Sequence, residues 1–223
     1  MNDQSNTPVV IPTEPQVLAG ISLPSLDLVP RVVVSHKKVV GADWRNREFV
    51  DFNALKTVFE NCDFRYSNFE RAYFRDARFV NCRFDGARFH ECNFKSANFY
   101  RCDLKFAHFH ECLLEVREVV ASLPAEPNIR RESLRNLKAN AIEVGDYENV
   151  GFLVLQEIEA TKRHYSYAMS GFDTYYRNKY PTFAARAHAS LKLLWLNLNG
   201  LVWGARGEAV AVARQLSTNS CGA

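Results

Sequence analysis

The sequence predicts a repeat architecture in the second quarter of the chain and a helical region after it. Three observations carry that expectation. Eleven of the 16 Phe in this 223-residue chain lie between Phe59 and Phe109. The same stretch recurs with a period of five, and a fixed period must be settled before any local reading. After Val116 the period becomes helical. From Thr57 the quintets run TVFEN, CDFRY, SNFER, AYFRD, ARFVN, CRFDG, ARFHE, CNFKS, ANFYR, CDLKF, AHFHE and CLLEV. Their first position is always small: Thr57, Cys62, Ser67, Ala72, Ala77, Cys82, Ala87, Cys92, Ala97, Cys102, Ala107 and Cys112. Their third is always large and apolar: Phe59, Phe64, Phe69, Phe74, Phe79, Phe84, Phe89, Phe94, Phe99, Leu104, Phe109 and Leu114. Neither a helix nor a simple alternating strand has this period.

The run resembles the pentapeptide-repeat family. That resemblance implies a mainly β solenoid, a right-handed quadrilateral β-helix of three to four coils, in which four quintets make one turn. Small and large residues would then both point inward, and only small side chains fit beside a ring of Phe at native density. Equivalent residues twenty apart would stack at the spacing of neighbouring strands, about 4.8 Å. This arithmetic places Cys62, Cys82 and Cys102 in one inward column, with Cys92 and Cys112 continuing Ala72 on the opposite side. Phe64 falls over Phe84, Phe69 over Phe89 and Phe109, and Phe79 over Phe99. The thiol columns invite a metal or redox reading. Ala and Ser at equivalent positions favour Cys as a small buried hydrophobe, a structural core residue.

In chain order, residues 1–38 read as a mobile, Pro-rich arm, and Arg31 to Val40 as a strand or capping segment leading into the repeat. The β-helix occupies 39–116. Its first turn, 40–56, is expected to be irregular, because Arg47 and Phe52 stand at small positions and Ala54 at a large one. From Glu60 to Glu115 there are nine Lys+Arg and nine Asp+Glu. Columns such as Asp63, Arg83, Asp103 and Arg65, Asp85, Lys105 suggest charge pairing between coils. Some relatives act as DNA mimics that occupy a type II topoisomerase, which makes that activity the alternative function. The neutral surface and short rod argue against it. The quartet FHEC occurs twice, so His90, Glu91, His110 and Glu111 should share one patch. It reads first as a solvated face, with Zn²⁺ the alternative.

Residues 117–182 read as a helical hairpin. Its first stripe is Leu134, Leu137, Ala141 and Val144, and its second Val150, Val154, Ile158, Thr161, Tyr165 and Met169, with Gly145-Asp146 between them. Residues 183–223 read as an amphipathic tail with the stripe Phe183, Ala187, Leu191, Leu194, Leu198 and Val202. Lys162 to Arg206 holds seven Lys+Arg against the single acid Asp173, interleaved with Tyr and Trp. That composition suits a membrane surface, which would make Lys162, Arg163, Arg177, Lys179, Trp195 and Trp203 membrane or partner contacts. The layout LKxNAxxxGDYxxxGxxxxxExxxxKR also resembles the helical region after the repeats in some membrane-bound family members. Those continue into transmembrane helices, whereas this chain ends STNSCGA.

Composition limits the rest. Hydrophobic residues at 47% support a core, and a net charge of +3 excludes a strongly basic nucleic-acid coat as a whole-chain description. The first residues, MNDQSNTPVVIPTEP, lack the basic start of a secretory signal. No uncharged apolar run reaches the length of a membrane span. Six Cys in an unexported chain imply reduced thiols. No nucleophile-elbow, Walker, zincin or kinase signature occurs. The expectation is therefore a non-enzyme without cofactor: a scaffold presenting flat faces to a protein partner, with a tail for self-association as a homodimer or for contact with an anionic membrane surface. Direct nucleic-acid binding is not expected. The expected location is the cytoplasm, with membrane contact at its inner face, where the alternative role is a peripheral sensor or effector.

Overall fold

The computed structural model describes residues 17–19, 28–30 and 32–198. Short strands recur every ten residues: β1 (Val17–Ala19), β2 (Leu28–Pro30), β3 (Lys38–Val40), β4 (Glu48–Val50), β5 (Val58–Glu60), β6 (Asn68–Glu70), β7 (Arg78–Val80), β8 (Arg88–His90), β9 (Asn98–Tyr100) and β10 (His108–His110). The odd strands β1-β3-β5-β7-β9 form one parallel sheet, and β10-β8-β6-β4-β2 form the other. Between them run two columns of parallel bridges, Val33–Asn53–Tyr73–Asn93–Leu113 and Asp43–Asp63–Arg83–Asp103. Two sheets and two bridge columns make a four-sided β-solenoid of about four coils. Each register is a shift of twenty, as in Phe69 opposite Phe89 and Phe89 opposite Phe109.

Inward side chains explain the quintet. Phe59, Phe64, Phe74, Phe79, Phe84 and Phe94 are fully buried between small residues such as Ala77, Ala87 and Cys112. Rings of successive coils lie parallel: Phe64 on Phe84 at 5.0 Å, Phe69 on Phe89 at 5.2 Å, Phe79 on Phe99 at 5.1 Å and Phe89 on Phe109 at 5.1 Å. Neighbouring sides of one coil meet edge to face, as Phe59 does with Phe64 at 80°. Both arrangements suit the aromatic quadrupole. The corner residue of each unit takes a left-handed backbone, for example Asn46, Asn61, Asn81 and Gly86. At Gly86 the lack of a side chain also makes room, because a Cβ would stand 2.7 Å from Cδ1 of Tyr66.

The irregular turn expected over 40–56 is regular. Phe52 and Ala54 have exchanged places, large for small, and both are fully buried. The exchange conserves coil volume, which a core tolerates well. Trp44 completes that coil, edge-on to Phe64 at 5.4 Å. Charge pairs form both within a coil and between coils. Within a coil, Arg45 pairs with Asp43 and Arg65 with Asp63, each at 2.6 Å, and between coils Lys38 pairs with Glu60 and Arg71 with Asp51, each at 2.9 Å. Arg45 reaches Asp63 of the next coil only at 3.9 Å. At the Asp43 and Asp63 corners the fork of an arginine two residues on matches its carboxylate bidentately, which favours the in-coil pair there.

Beyond the solenoid come α1 (Val116–Ala121), α2 (Pro127–Glu143), α3 (Tyr147–Ser170), α4 (Thr174–Lys179) and helical residues 183–198. The chain divides into two compact units after Glu157, inside α3. In the first unit, α2 lies on β10 and finishes the solenoid. Leu134, Leu137 and Ala141 are its buried stripe. Lys138 and Arg135 hold Glu157 of α3 at 2.6 and 2.7 Å. Burial alone would raise the Glu157 carboxyl, yet these two cations keep it below the usual carboxylate range. On α3 the buried residues are Leu153, Ala160, His164 and Ala168, while the expected Val154, Ile158 and Met169 are exposed. A second apolar set shifted around the helix competed for the same reading, and tertiary packing decided between them.

Candidate functional site

Stacking at twenty residues turns outward positions into columns, and the β4-β6-β8-β10 face is the most distinctive. One column is Glu48, Asn68, Arg88 and His108, and its neighbour is Val50, Glu70, His90 and His110. Together with Asn136 and Glu143 of α2 they line a groove of about 500 Å³. Glu70 is paired with Arg71, which also reaches Asp51 of the coil below at 2.9 Å. Nε2 of His90 stands 3.9 Å from carboxylate oxygens of both Glu91 and Glu111. Nε2 of His110 stands 3.9 Å from Glu143. The two imidazole rings are 5.1 Å apart and tilted by 51°. All four residues of the doubled FHEC patch are thus brought together, and α2 adds a carboxylate that the sequence did not associate with them.

Two asparagines of α2 close the end of this face. Asn136 accepts from the Phe109 amide at 2.9 Å and donates to its carbonyl at 3.0 Å. Asn140 does the same for Cys112 at 2.7 and 2.8 Å. Each side-chain amide stands in for the next strand's backbone and satisfies an edge that would otherwise offer bare donors and acceptors. Sequence reasoning assigned Asn140 to a motif but not to this task. Two Asn spaced i, i+4 were the available signal.

Inside the solenoid, Cys62, Cys82, Cys92 and Cys112 are buried, and Cys102 is partly so. Each thiol points at a carbonyl twenty-three residues earlier, from Cys62 toward Val39 at 3.6 Å to Cys112 toward Phe89 at 3.4 Å. Thr57 and Ser67 donate their hydroxyls at the same offset, to Val34 and Trp44. Ser122 continues the Cys62–Cys82–Cys102 column by donating to Phe99 at 2.8 Å. Cys, Ser and Thr are therefore small residues that can also donate between coils. The Cys62 thiol is pushed far up by its hydrogen bond with Cys82 and by burial. Cys82 is pushed up to about 12, with Cys102 the largest cause. Cys62 and Cys82 are thereby poor nucleophiles and metal ligands.

The second unit centres on His164, which is buried with its Nδ1 3.1 Å from the Tyr176 hydroxyl and its Nε2 3.1 Å from that of Tyr180. Sequence reasoning missed it, since a lone His in a Tyr-rich segment gives no spacing signal. Of the expected contact residues, Lys162 is half-buried, and Arg163 is exposed beside Glu159 at 3.5 Å. Arg177 is exposed, and Lys179 donates to the Tyr175 hydroxyl at 2.7 Å. Trp195 is 65% exposed, in company with Phe183, Leu191, Leu194 and Leu198. The expected face of that helix is therefore turned outward. Trp203 and most of the expected arm at 1–38 lie outside the described residues. No helix among the described residues is long and apolar enough to cross a membrane.

A four-sided parallel solenoid with small and aromatic residues alternating inward defines a class of repeat protein. Residues 54–121 match the family model described as pentapeptide repeat region, and this part of the chain is a pentapeptide-repeat solenoid. No curated protein matches the chain. Among solved structures, two trypsin-treated variants of QnrB1, a plasmid-mediated fluoroquinolone resistance protein, are each 18% identical over 43% of this chain. Their TM-scores are 0.28 and 0.25. The chain spans 58% and 61% of those two structures. Full-length QnrB1 is 14% identical over 46% of this chain and 87% of its own, with a TM-score of 0.17.

Proposed function

We propose that this chain is a non-catalytic scaffold that docks a partner protein on the outer face of β4-β6-β8-β10. The observation that carries the reading is the groove on that face, where Glu48, Glu70 and Glu143 stand with Arg88 and three imidazoles. The solenoid interior is filled by side chains, so polar chemistry is confined to outer surfaces, and a face of mixed charge suits specific protein recognition. Equal numbers of cationic and anionic residues from Glu60 to Glu115 weigh against a DNA mimic, which needs one sign of charge. Crosslinking mass spectrometry in the native cell tests the proposal, with wild type beside the double variant Arg88→Glu, His108→Glu. A stoichiometric partner captured by the wild type and lost by the variant is the expected result. No stoichiometric partner, or capture indifferent to the substitutions, would overturn it.

The second unit supports a further role at a lipid surface. Phe183, Leu191, Leu194, Trp195 and Leu198 form an exposed apolar set on a helix that also carries Arg186 and Lys192. Anionic vesicles at low salt should bind the chain and shift tryptophan emission, at about 1 kcal/mol per basic residue close to the surface. Replacing Lys162, Arg163, Arg177 and Lys179 with Gln should weaken binding, as should added salt, which screens over about 10 Å at 0.1 M. An emission spectrum unchanged by anionic vesicles at low salt would remove this role and leave self-association for that face.

A further inference from the structure

We propose that His90, His110 and Glu111 form a binding site for a divalent d-block cation, Zn²⁺ above all. One donor atom from each residue lies within 4.8 Å of the others. The cause is the coil repeat. His90 and His110 are register partners on β8 and β10, and Glu111 follows on the next corner with a left-handed backbone. Zinc holds imidazole nitrogen and carboxylate oxygen at about 2.0–2.2 Å, so tetrahedral donors stand roughly 3.4 Å apart. Closing from the present separations needs only small rotations of three exposed side chains, which are free to make them.

Three further features favour the site. First, Arg71, which stands one coil before Glu91, is engaged elsewhere: Asp51 and Glu70 hold it. Second, Glu143 approaches from α2, its Oε1 3.9 Å from Nε2 of His110 while its Oε2 accepts from the Glu111 amide at 3.4 Å. A carboxylate at that place adds negative potential beside the ligands. Third, two imidazoles and a carboxylate suit zinc, copper or nickel, whereas magnesium and calcium prefer all-oxygen sets. Three protein ligands leave one position open, and both histidines line the groove. That position can take water or a side chain from a docked protein.

The full-length chain, stripped of metal and titrated with Zn²⁺ against a chromophoric chelator, tests the assignment. The expected result is one Zn²⁺ per chain, with affinity lowered tenfold or more by His90→Gln, by His110→Gln and by Glu111→Gln. His108→Gln is the control, because His108 lies in the same groove but in the neighbouring column; it should change the affinity by less than about twofold, well inside the tenfold scale on which ligand-shell changes act. Millimolar Mg²⁺ should not displace the zinc. Circular dichroism of each variant checks that the solenoid remains folded, as exposed positions should allow. Zinc that survives the double variant His90→Gln, His110→Gln is held by thiols or other groups and overturns the proposal. So does the absence of stoichiometric binding at tens of micromolar zinc.

Discussion

Ala87→Arg is expected to abolish folding of the solenoid, leaving no cooperative thermal transition by circular dichroism. Ala87 is fully buried at an inward small position, in the column between Ser67 and Ala107. Phe84 and Phe89, fully and almost fully buried, flank it in the same coil and meet at 5.9 Å. The inserted guanidinium has no acidic partner in that interior, and an unpaired buried charge costs several kcal/mol. Its volume adds an overpacking cost of about 1–3 kcal/mol, because the rings above and below are already in contact. Whole domains are stable by only about 5–15 kcal/mol, so the two effects together reach the limit. Phe84→Asp should act similarly, by cutting a stack and burying a carboxylate. The paired control is Cys82→Ala, which removes one sulfur and a weak donor to the Phe59 carbonyl at 3.4 Å. Its loss should be about 1–2 kcal/mol, as for a small cavity. A cooperative melt of Ala87→Arg at the wild-type temperature would show that position 87 does not face inward.

The solenoid was legible because its interior is one-dimensional. With a fixed register of twenty, the small-and-large rule of one coil serves every other. It located Phe64, Ala87 and Cys112 without any tertiary knowledge. The rule was too strict at Phe52 and Ala54, where the reversed order still fills the coil. A position-by-position rule cannot see that only the summed volume matters. Stacking also placed the doubled FHEC residues together, since His90 and His110 inherit the register of Phe89 and Phe109. What lay beyond reach were the contacts made by residues with no shared period. Glu143 meets His110 across thirty-three positions, from an element whose docking the repeat does not fix. Likewise the buried side of α3 turned on which apolar set found a neighbour. Leu153 and Ala160 did, and Val154 and Ile158 did not.

Asn140→Leu should be the most damaging single change outside the interior columns. Among the described strands β10 has β8 on one side only, and α2 lies along its other edge. Asn140 is 1% exposed and makes both halves of the edge contact at Cys112. Leucine has similar volume but leaves an amide and a carbonyl buried without partners. At about 1–3 kcal/mol for each orphaned group, the loss is roughly 2–6 kcal/mol. Denaturant titration should show the midpoint fall accordingly. Size-exclusion chromatography should show concentration-dependent association as the uncapped edge seeks another strand. Asn140→Asp separates capping from packing. Its carboxylate can still accept from the Cys112 amide, but its second oxygen faces the Cys112 carbonyl, and the charge is buried. The folded state must then raise that carboxyl above its unfolded value. The stability it contributes is present below the ordinary carboxylate range and is lost as pH rises through the folded value. Measured against wild type at each pH, the deficit of Asn140→Asp should therefore narrow on acidification, because the protonated acid recovers a donor for the carbonyl. The deficit of Asn140→Leu should not move with pH. Equal deficits for both variants from neutral to acid pH would mean that Asn140 merely fills space, and that the solenoid end is closed by apolar packing of α2 alone.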